Sequence, residues 1–105
     1  MQPKGLHHVA VSVPNRAGLA KWFVETMDMK IMSEDKHHTF VDAGNGQSIT
    51  LFDADTTQLH HITISVDDVK ETAKELEKKG IKFHGGDLHL FEGPDGIPLQ
   101  ISPAG

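Results

Sequence analysis

The length and composition of the chain are those of one ordinary globular domain. It has 105 residues, 37% of them hydrophobic and 24% charged, and single hydrophobic cores commonly form at about 100–150 residues. The sequence contains no cysteine, which excludes a disulfide framework and any thiolate metal site. Its net charge of −5 argues against nucleic acid as a partner, because binding to a phosphate backbone depends on clustered Lys and Arg.

The sequence carries no pattern of a membrane span or an export signal. There is no run of about 18 apolar residues, and residues 1–5 lack the apolar segment of a secretory signal. We therefore expect a cytoplasmic protein that has no membrane partner. One count is unusual: eight histidines accompany one tryptophan and no tyrosine, which raises the question of whether these histidines take part in chemistry.

The first half of the chain predicts a strand, a helix and three further strands. Residues 8–13 alternate at period 2 and are rich in valine, which is typical of a strand. Asn15 is placed to cap a helix that runs to about Met27. The predicted apolar stripe of this helix is Leu19, Phe23 and Met27, and the later strands are predicted at about 30–33, 38–42 and 48–52, with a turn at 44–46.

The second half predicts the same elements in the same order. A strand at 61–66 precedes a helix that begins at Asp68, and Glu71 follows at the spacing of a capping box. Gly80 is typical of the residue just after a helix. Three strands are then predicted at about 81–84, 88–92 and 99–102, with a turn at Pro94–Gly96.

The two halves are copies of one sequence unit. Residues 6–21 (LHHVAVSVPNRAGLAK) align with residues 59–74 (LHHITISVDDVKETAK) at an offset of 53, and residues 39–46 align with 89–96 at an offset of 50. Because order and spacing both match, we interpret the chain as an internal duplication. The prediction is one α+β domain over residues 1–105, made of two βαβββ modules at about 5–54 and 58–103.

Strand alternation assigns the residues of each module to two faces. The large aliphatic residues of each opening strand must pack under the helix, because an amphipathic helix needs an apolar partner. His8 in the first copy and His61 in the second lie on the opposite face, among small and polar residues. Gln100 and its repeat partner Thr50 are predicted to point to that same face. We expect this face to form the wall of a hydrated cavity.

These residues resemble a known superfamily. The strands that begin HHVAVSV and HHITISV, the capped helix with Trp22 and Phe23, and the closing run FEGPDGIPLQ at 91–100 are similar to the vicinal oxygen chelate superfamily. Its members include glyoxalase I, the bleomycin-resistance proteins and the extradiol dioxygenases. The resemblance extends over the whole chain, and it implies curved sheets around a cleft, a small-molecule ligand and a homodimer.

The resemblance also implies a set of metal ligands. Carried over by position, a divalent metal (Zn, Ni, Mn or Fe) would be bound by His8, His61 and Gln100. Gln100 stands where metal-binding members usually have Glu, and Thr50 occupies the corresponding position of the first module. Two imidazoles suit such metals, but a carboxylate normally completes the site and balances its charge.

Two functions remain open at this point. The first is a metal-dependent lyase, isomerase or dioxygenase acting on a small oxygenated substrate. Its base would be a cleft histidine, with His89 as the first candidate, or a metal-bound hydroxide. The second is a metal-free protein that binds or sequesters a small molecule, as the bleomycin-resistance proteins do. The remaining expectations are that His7 and His60 are structural, that His37, His38 and His84 are surface residues unless they line the cleft, and that Phe52 and Phe91 belong to the core.

Overall fold

The computed structural model describes residues 1–104 and confirms the predicted α+β class. Within that range the chain forms seven strands, two helices and two single 3₁₀ turns. The strands are β1 (Pro3–Val13), β2 (Lys30–Glu34), β3 (His38–Gly44), β4 (Gln47–Asp53), β5 (Gln58–Val66), β6 (Leu90–Glu92) and β7 (Pro98–Pro103). The helices are α1 (Arg16–Met27) and α2 (Val69–Lys78), and the 3₁₀ turns are Gly86–Leu88 and Pro94–Gly96.

The chain divides into two compact units. The first unit is His8–His60, and the second unit combines Met1–His7 with the chain from His61 onward. In the first unit the strands are hydrogen-bonded in the order β2-β3-β4-β1, with β1 parallel to β4 and the other pairs antiparallel. In the second unit β7 lies between β5, to which it is parallel, and β6, to which it is antiparallel.

The core of the first unit lies between α1 and one face of its strands. Val41 and Leu51 are fully buried there, and Leu19 and Phe23 of the helix pack against them, as the apolar stripe predicts. The prediction for Met27 is wrong, because this side chain is 55% exposed. Met29 packs against the core instead, since the chain leaves the helix and reaches β2 over that position.

The core of the second unit is built in the same way beneath α2. Val66, Ala73 and Ile101 are buried together with Phe91, so Phe91 is a core residue as predicted. Val69 and Leu76 of the helix pack against this cluster. The aliphatic face of each opening strand is therefore the face that supports the helix.

Both helices begin at the predicted caps. The Asn15 side chain accepts a hydrogen bond from the Gly18 backbone N–H (2.9 Å), and Asp68 accepts one from the N–H of Glu71 (3.0 Å). Such caps satisfy backbone donors that have no partner inside the helix. Helix α2 ends at Lys78, and Gly80 follows it with a φ of +97°, in the left-handed region that closes a helix with hydrogen bonds back to its last turn.

Two of the predicted strands of the second module differ from the structure. Residues 81–84 form no strand and make a single bridge, between His84 and Leu90. The strand predicted at 88–92 begins only at Leu90, and His89 before it has a left-handed backbone (φ +52°). The cause is the pair Gly85 and Gly86, which turn the chain at positive φ (+77° and +60°).

Candidate active site

The strand face of the first unit that points away from α1 carries the candidate residues, and we call it the distal face. The register aligns its side chains in two rows across β1, β4 and β3. One row consists of Ala10, Thr50 and Phe40, and the next consists of Ser12, Phe52 and His38. The prediction that this face carries small, polar and histidine residues is thus incomplete, because it carries two aromatic side chains as well.

Aromatic rings form a connected group on the distal face. The His38 ring meets Phe40 edge-on with centroids 4.5 Å apart, and it lies nearly parallel to Phe52 at 5.6 Å. Phe52 in turn stacks on His60 at 4.3 Å. The expectation that Phe52 belongs to the core beneath the helix is therefore wrong. Alternation along β4 places it opposite Leu51, which is the core residue.

Asp35 orients His38 at the edge of this face. One carboxylate oxygen of Asp35 lies 2.9 Å from His38 Nδ1, and it also accepts the backbone N–H groups of His37 (2.8 Å) and His38 (3.0 Å). The hydrogen bond from the His37 backbone is the main cause that lowers the pKa of Asp35 below its ordinary value, followed in the same direction by the one from His38. Asp35 is thus a carboxylate at neutral pH.

The side chain of Arg16 fixes the loop that contains Asp35. Its guanidinium donates to the backbone carbonyls of Asp35 (3.2 Å) and Lys36 (3.1 Å), to the hydroxyl of Thr39 (3.2 Å) and to the Asp53 carboxylate (3.2 Å). The Arg16 side chain is only 16% exposed. Four fixed contacts from one planar group hold the loop against α1 and so hold Asp35 at the start of β3.

A buried hydroxyl on the distal face has no partner. Thr50 is 2% exposed, and within residues 1–104 its Oγ1 is the one buried side-chain oxygen or nitrogen without a hydrogen bond. The residue beside it in the register is Ala10, which offers no polar side-chain atom. An unsatisfied buried hydroxyl of this kind costs about 1–3 kcal/mol.

The equivalent position of the second unit is satisfied. There Thr63 stands beside Gln100 in the register, and its hydroxyl donates to the Gln100 amide oxygen at 2.5 Å. The Gln100 amide nitrogen donates to the Leu88 carbonyl at 2.9 Å. Both ends of the Gln100 amide are therefore engaged, and the two copies of the duplicated unit differ in the polar chemistry of the same place.

The predicted metal ligands His8, His61 and Gln100 lie on β1, β5 and β7. His61 is 9% exposed and lies two residues before Thr63 on β5, so His61 and Gln100 share one strand face of the second unit. His8 holds the equivalent place in the first unit. Within the described residues no three His, Cys, Asp or Glu side chains form a group that could hold a metal ion. Two imidazoles and an amide that is already hydrogen-bonded do not fit a centre of two histidines and a carboxylate.

The predicted proton-transfer residue His89 lies just after the 3₁₀ turn. Its Nδ1 is 3.0 Å from the Asp87 carbonyl oxygen, and its ring contacts the edge of Phe83 at 5.6 Å. It therefore does not occupy the strand position on which its candidacy was based. The Asp35–His38 pair was not predicted, although an aspartate three residues before a histidine at the start of a strand is a detectable signal for a side chain that folds back on a turn.

The similarity of this chain to a known protein family extends over nearly its whole length. A family model described as the glyoxalase/bleomycin resistance protein/dioxygenase superfamily matches residues 5–101. The chain belongs to this superfamily. No curated protein sequence matches it, and within residues 1–104 no helix is long and apolar enough to cross a membrane.

Solved structures share the superfamily fold at low sequence identity. Methylmalonyl-CoA epimerase from Mycobacterium tuberculosis is similar at a TM-score of 0.79 and 15% identity, over 98% of this chain and 90% of that one. A methylmalonyl-CoA epimerase in complex with methylmalonyl-CoA and NH4+ is similar at 0.73 and 12%, over 95% and 94%. The 2,3-dioxygenase LapB from Pseudomonas sp. KL28 is similar at 0.79 and 16%, and the match covers 94% of this chain but 40% of that enzyme.

Proposed function

We propose that this superfamily member binds a small oxygenated molecule on the distal face of the first unit. The observation that carries the proposal is the unpartnered Thr50 hydroxyl, which is buried beside Phe40 on a face that also carries Phe52. A ligand oxygen would satisfy the hydroxyl, and the two aromatic side chains would contact the apolar part of the ligand. The epimerase relative that binds methylmalonyl-CoA supports a small carbonyl compound as the class of ligand.

This function needs no metal, and it corresponds to the second of the two alternatives drawn from the sequence. The Gln100 amide is neutral and engaged at both ends, so nothing in this donor set balances the charge of a divalent ion. A face with one free hydroxyl and aromatic contacts is sufficient for selective binding, because small-molecule sites are mostly apolar with a few placed polar groups.

The test is a binding screen by NMR in which the affected residues are then identified. Small hydroxy acids, diketones and carboxylic esters would be screened by ligand-observed NMR, and the hits would then be mapped by amide shift changes. We expect shifts in β3 and β4, and we expect Thr50→Val to weaken binding about tenfold. Thr57→Val, at an exposed position outside the strands, is the matched control. Hits that shift only residues of the second unit, or that bind Thr50→Val unchanged, would refute the site.

A metal-dependent lyase, isomerase or dioxygenase remains a second candidate, because His61 and Gln100 lie on one face. We propose His8, His61 and Gln100 as its ligands for Zn, Ni, Mn or Fe, with His89 as the proton-transfer residue. Elemental analysis after reconstitution would test it, with His61→Ala expected to lose metal and exposed His84→Ala to retain it. Gln100→Glu should tighten binding, since a carboxylate is the stronger ligand. Occupancy of only a few per cent for every metal would exclude this candidate.

A cytoplasmic homodimer is also proposed, from the family resemblance. Light scattering at micromolar concentration is the measurement, and a monomer there would contradict it.

A further inference from the structure

The Asp35–His38 pair fixes the protonation pattern of the imidazole. An ionised carboxylate only accepts hydrogen bonds, so His38 Nδ1 must carry the proton that Asp35 accepts at 2.9 Å. In the neutral ring the second nitrogen, Nε2, then holds a lone pair. Asp35 is itself held by the backbone N–H groups of residues 37 and 38, so the orientation of the pair does not depend on a mobile side chain.

The ring of His38 is also held in place by its neighbours. Phe40 meets its edge and Phe52 lies against its face, while the side chain keeps 26% of its surface exposed. Nε2 lies at the end of the ring away from Nδ1, so it is not used by Asp35. A basic nitrogen of fixed orientation beside two aromatic side chains is the arrangement expected of a group that accepts a proton from a bound molecule.

Thr50, whose hydroxyl has no partner, is a diagonal neighbour of His38 in the sheet. His38 is directly opposite Phe52 in the register, and Thr50 is two residues from Phe52 on the same face of β4. Diagonal neighbours of this kind are about 7–8 Å apart, a distance that one small molecule can bridge. The face therefore offers a proton acceptor at one point and a buried hydroxyl at a second.

We propose that His38 is a general base acting on the molecule bound at the distal face, with Asp35 as its positioning residue; this inference rests on the proposed function. The substrate class is a carbon acid, a compound with a C–H next to a carbonyl group. His38 Nε2 takes the proton, the electron pair of the C–H bond forms the C=C bond of the enolate, and the π pair of the carbonyl moves to its oxygen. The enolate oxygen accepts a hydrogen bond from Thr50, Asp35 stabilises the imidazolium, and return of the proton to carbon regenerates the base.

The test uses 5-nitrobenzisoxazole, a planar probe whose ring opens when a base removes its C–H proton. The proton passes to the base, the C–H electron pair completes the C≡N bond of a nitrile, and the N–O bond breaks with its pair on the nitrophenolate oxygen, whose colour reports the rate. We expect turnover faster than with free imidazole at equal concentration. His38→Gln should lower kcat at least tenfold and leave KM within about twofold. His37→Gln, which keeps its backbone contact to Asp35, is the matched control and should not change the rate.

Binding and proton transfer fail in different ways in this assay. A higher KM in Phe52→Leu and Thr50→Val, with kcat unchanged in His38→Gln, would overturn the base and retain the binding face. If neither Phe52→Leu nor Thr50→Val changes KM, the binding face itself is wrong.

The positioning role is read by nitrogen NMR of the imidazole, which distinguishes the two neutral tautomers without any substrate. We expect wild type to carry the His38 proton on Nδ1 and Asp35→Asn to lose that preference. A proton on Nε2 in the wild-type protein would overturn the inference even if every variant failed to fold.

Discussion

The two buried threonines, Thr50 and Thr63, should respond in opposite ways to one substitution. Thr→Val replaces a hydroxyl by a methyl group of similar volume, so the side chain still fills its place. At Thr50 this removes an unsatisfied hydroxyl, whose burial costs about 1–3 kcal/mol. We expect Thr50→Val to raise the free energy of unfolding by about 1–2 kcal/mol.

At Thr63 the same change removes the donor to Gln100 from a residue that is fully buried. The lost hydrogen bond and the amide oxygen left without its partner should lower the free energy of unfolding by about 1–2 kcal/mol. The assay is urea unfolding of wild type and both variants, with equal m-values required so that midpoints report stability. Each kcal/mol corresponds to about 4–8 °C in Tm for a domain near this size. If Thr50→Val destabilised the protein as much as Thr63→Val, the reasoning would be refuted, because Thr50 would then have a partner.

Three further predictions concern the loop of the first unit, its carboxylate and a helix end. Arg16→Lys should lower the free energy of unfolding, measured in urea, by about 1–3 kcal/mol, because an ammonium group cannot reproduce the forked contacts of the guanidinium. Lys21→Arg changes an exposed residue and is the control, so an equal loss there would contradict this reason. Carboxyl NMR should give Asp35 a pKa below its ordinary value of 3.8. The stability that this carboxylate contributes is then complete above pH 3.8 and is lost as the pH falls through the lower folded-state pKa. An unshifted pKa would disprove this. Gly80→Ala should lower the free energy of unfolding by about 1 kcal/mol, measured by thermal unfolding. The cause is the φ of +97° alone, since no atom lies within 4 Å of the added carbon. An unchanged Tm would show that this backbone strain is absent.

Local signals in the sequence were sufficient for most of the fold. The caps at Asn15 and Asp68 and the stop at Gly80 depend on neighbours in the chain, and each lies where it was predicted. The aliphatic faces of the opening strands also depend only on period-2 alternation. The superfamily was identified by resemblance, through the two opening strands, the first helix and the closing run at 91–100.

The remaining features depend on contacts between segments far apart in the sequence. Met27 fits the apolar stripe of α1, but Met29 is the residue that packs against the core of the first unit, and Met27 is exposed. Alternation along β4 puts Phe52 on the same face as Thr50, but its stacking on His38 follows only from the pairing of β4 with β3. The missing partner of Thr50 likewise requires knowing that Ala10 lies beside it. The repeat aligned Thr50 with Gln100, but it could not say which copy would retain a hydrogen bond.

The edge position of β2 has a consequence for the behaviour of this protein at high concentration. This strand is at the edge of the first unit, and its pairing with β3 shifts register between Ile31 and Ser33, around a Met32 side chain that is 61% exposed. A regular edge with exposed apolar side chains would be a template on which other chains could add as strands and grow into aggregates. The register shift interrupts the row of backbone hydrogen-bonding groups that an added strand would need, and the charged residues Lys30 and Glu34 lie at the two ends of β2. We therefore expect a redesign that straightened this strand to make the protein more prone to aggregate.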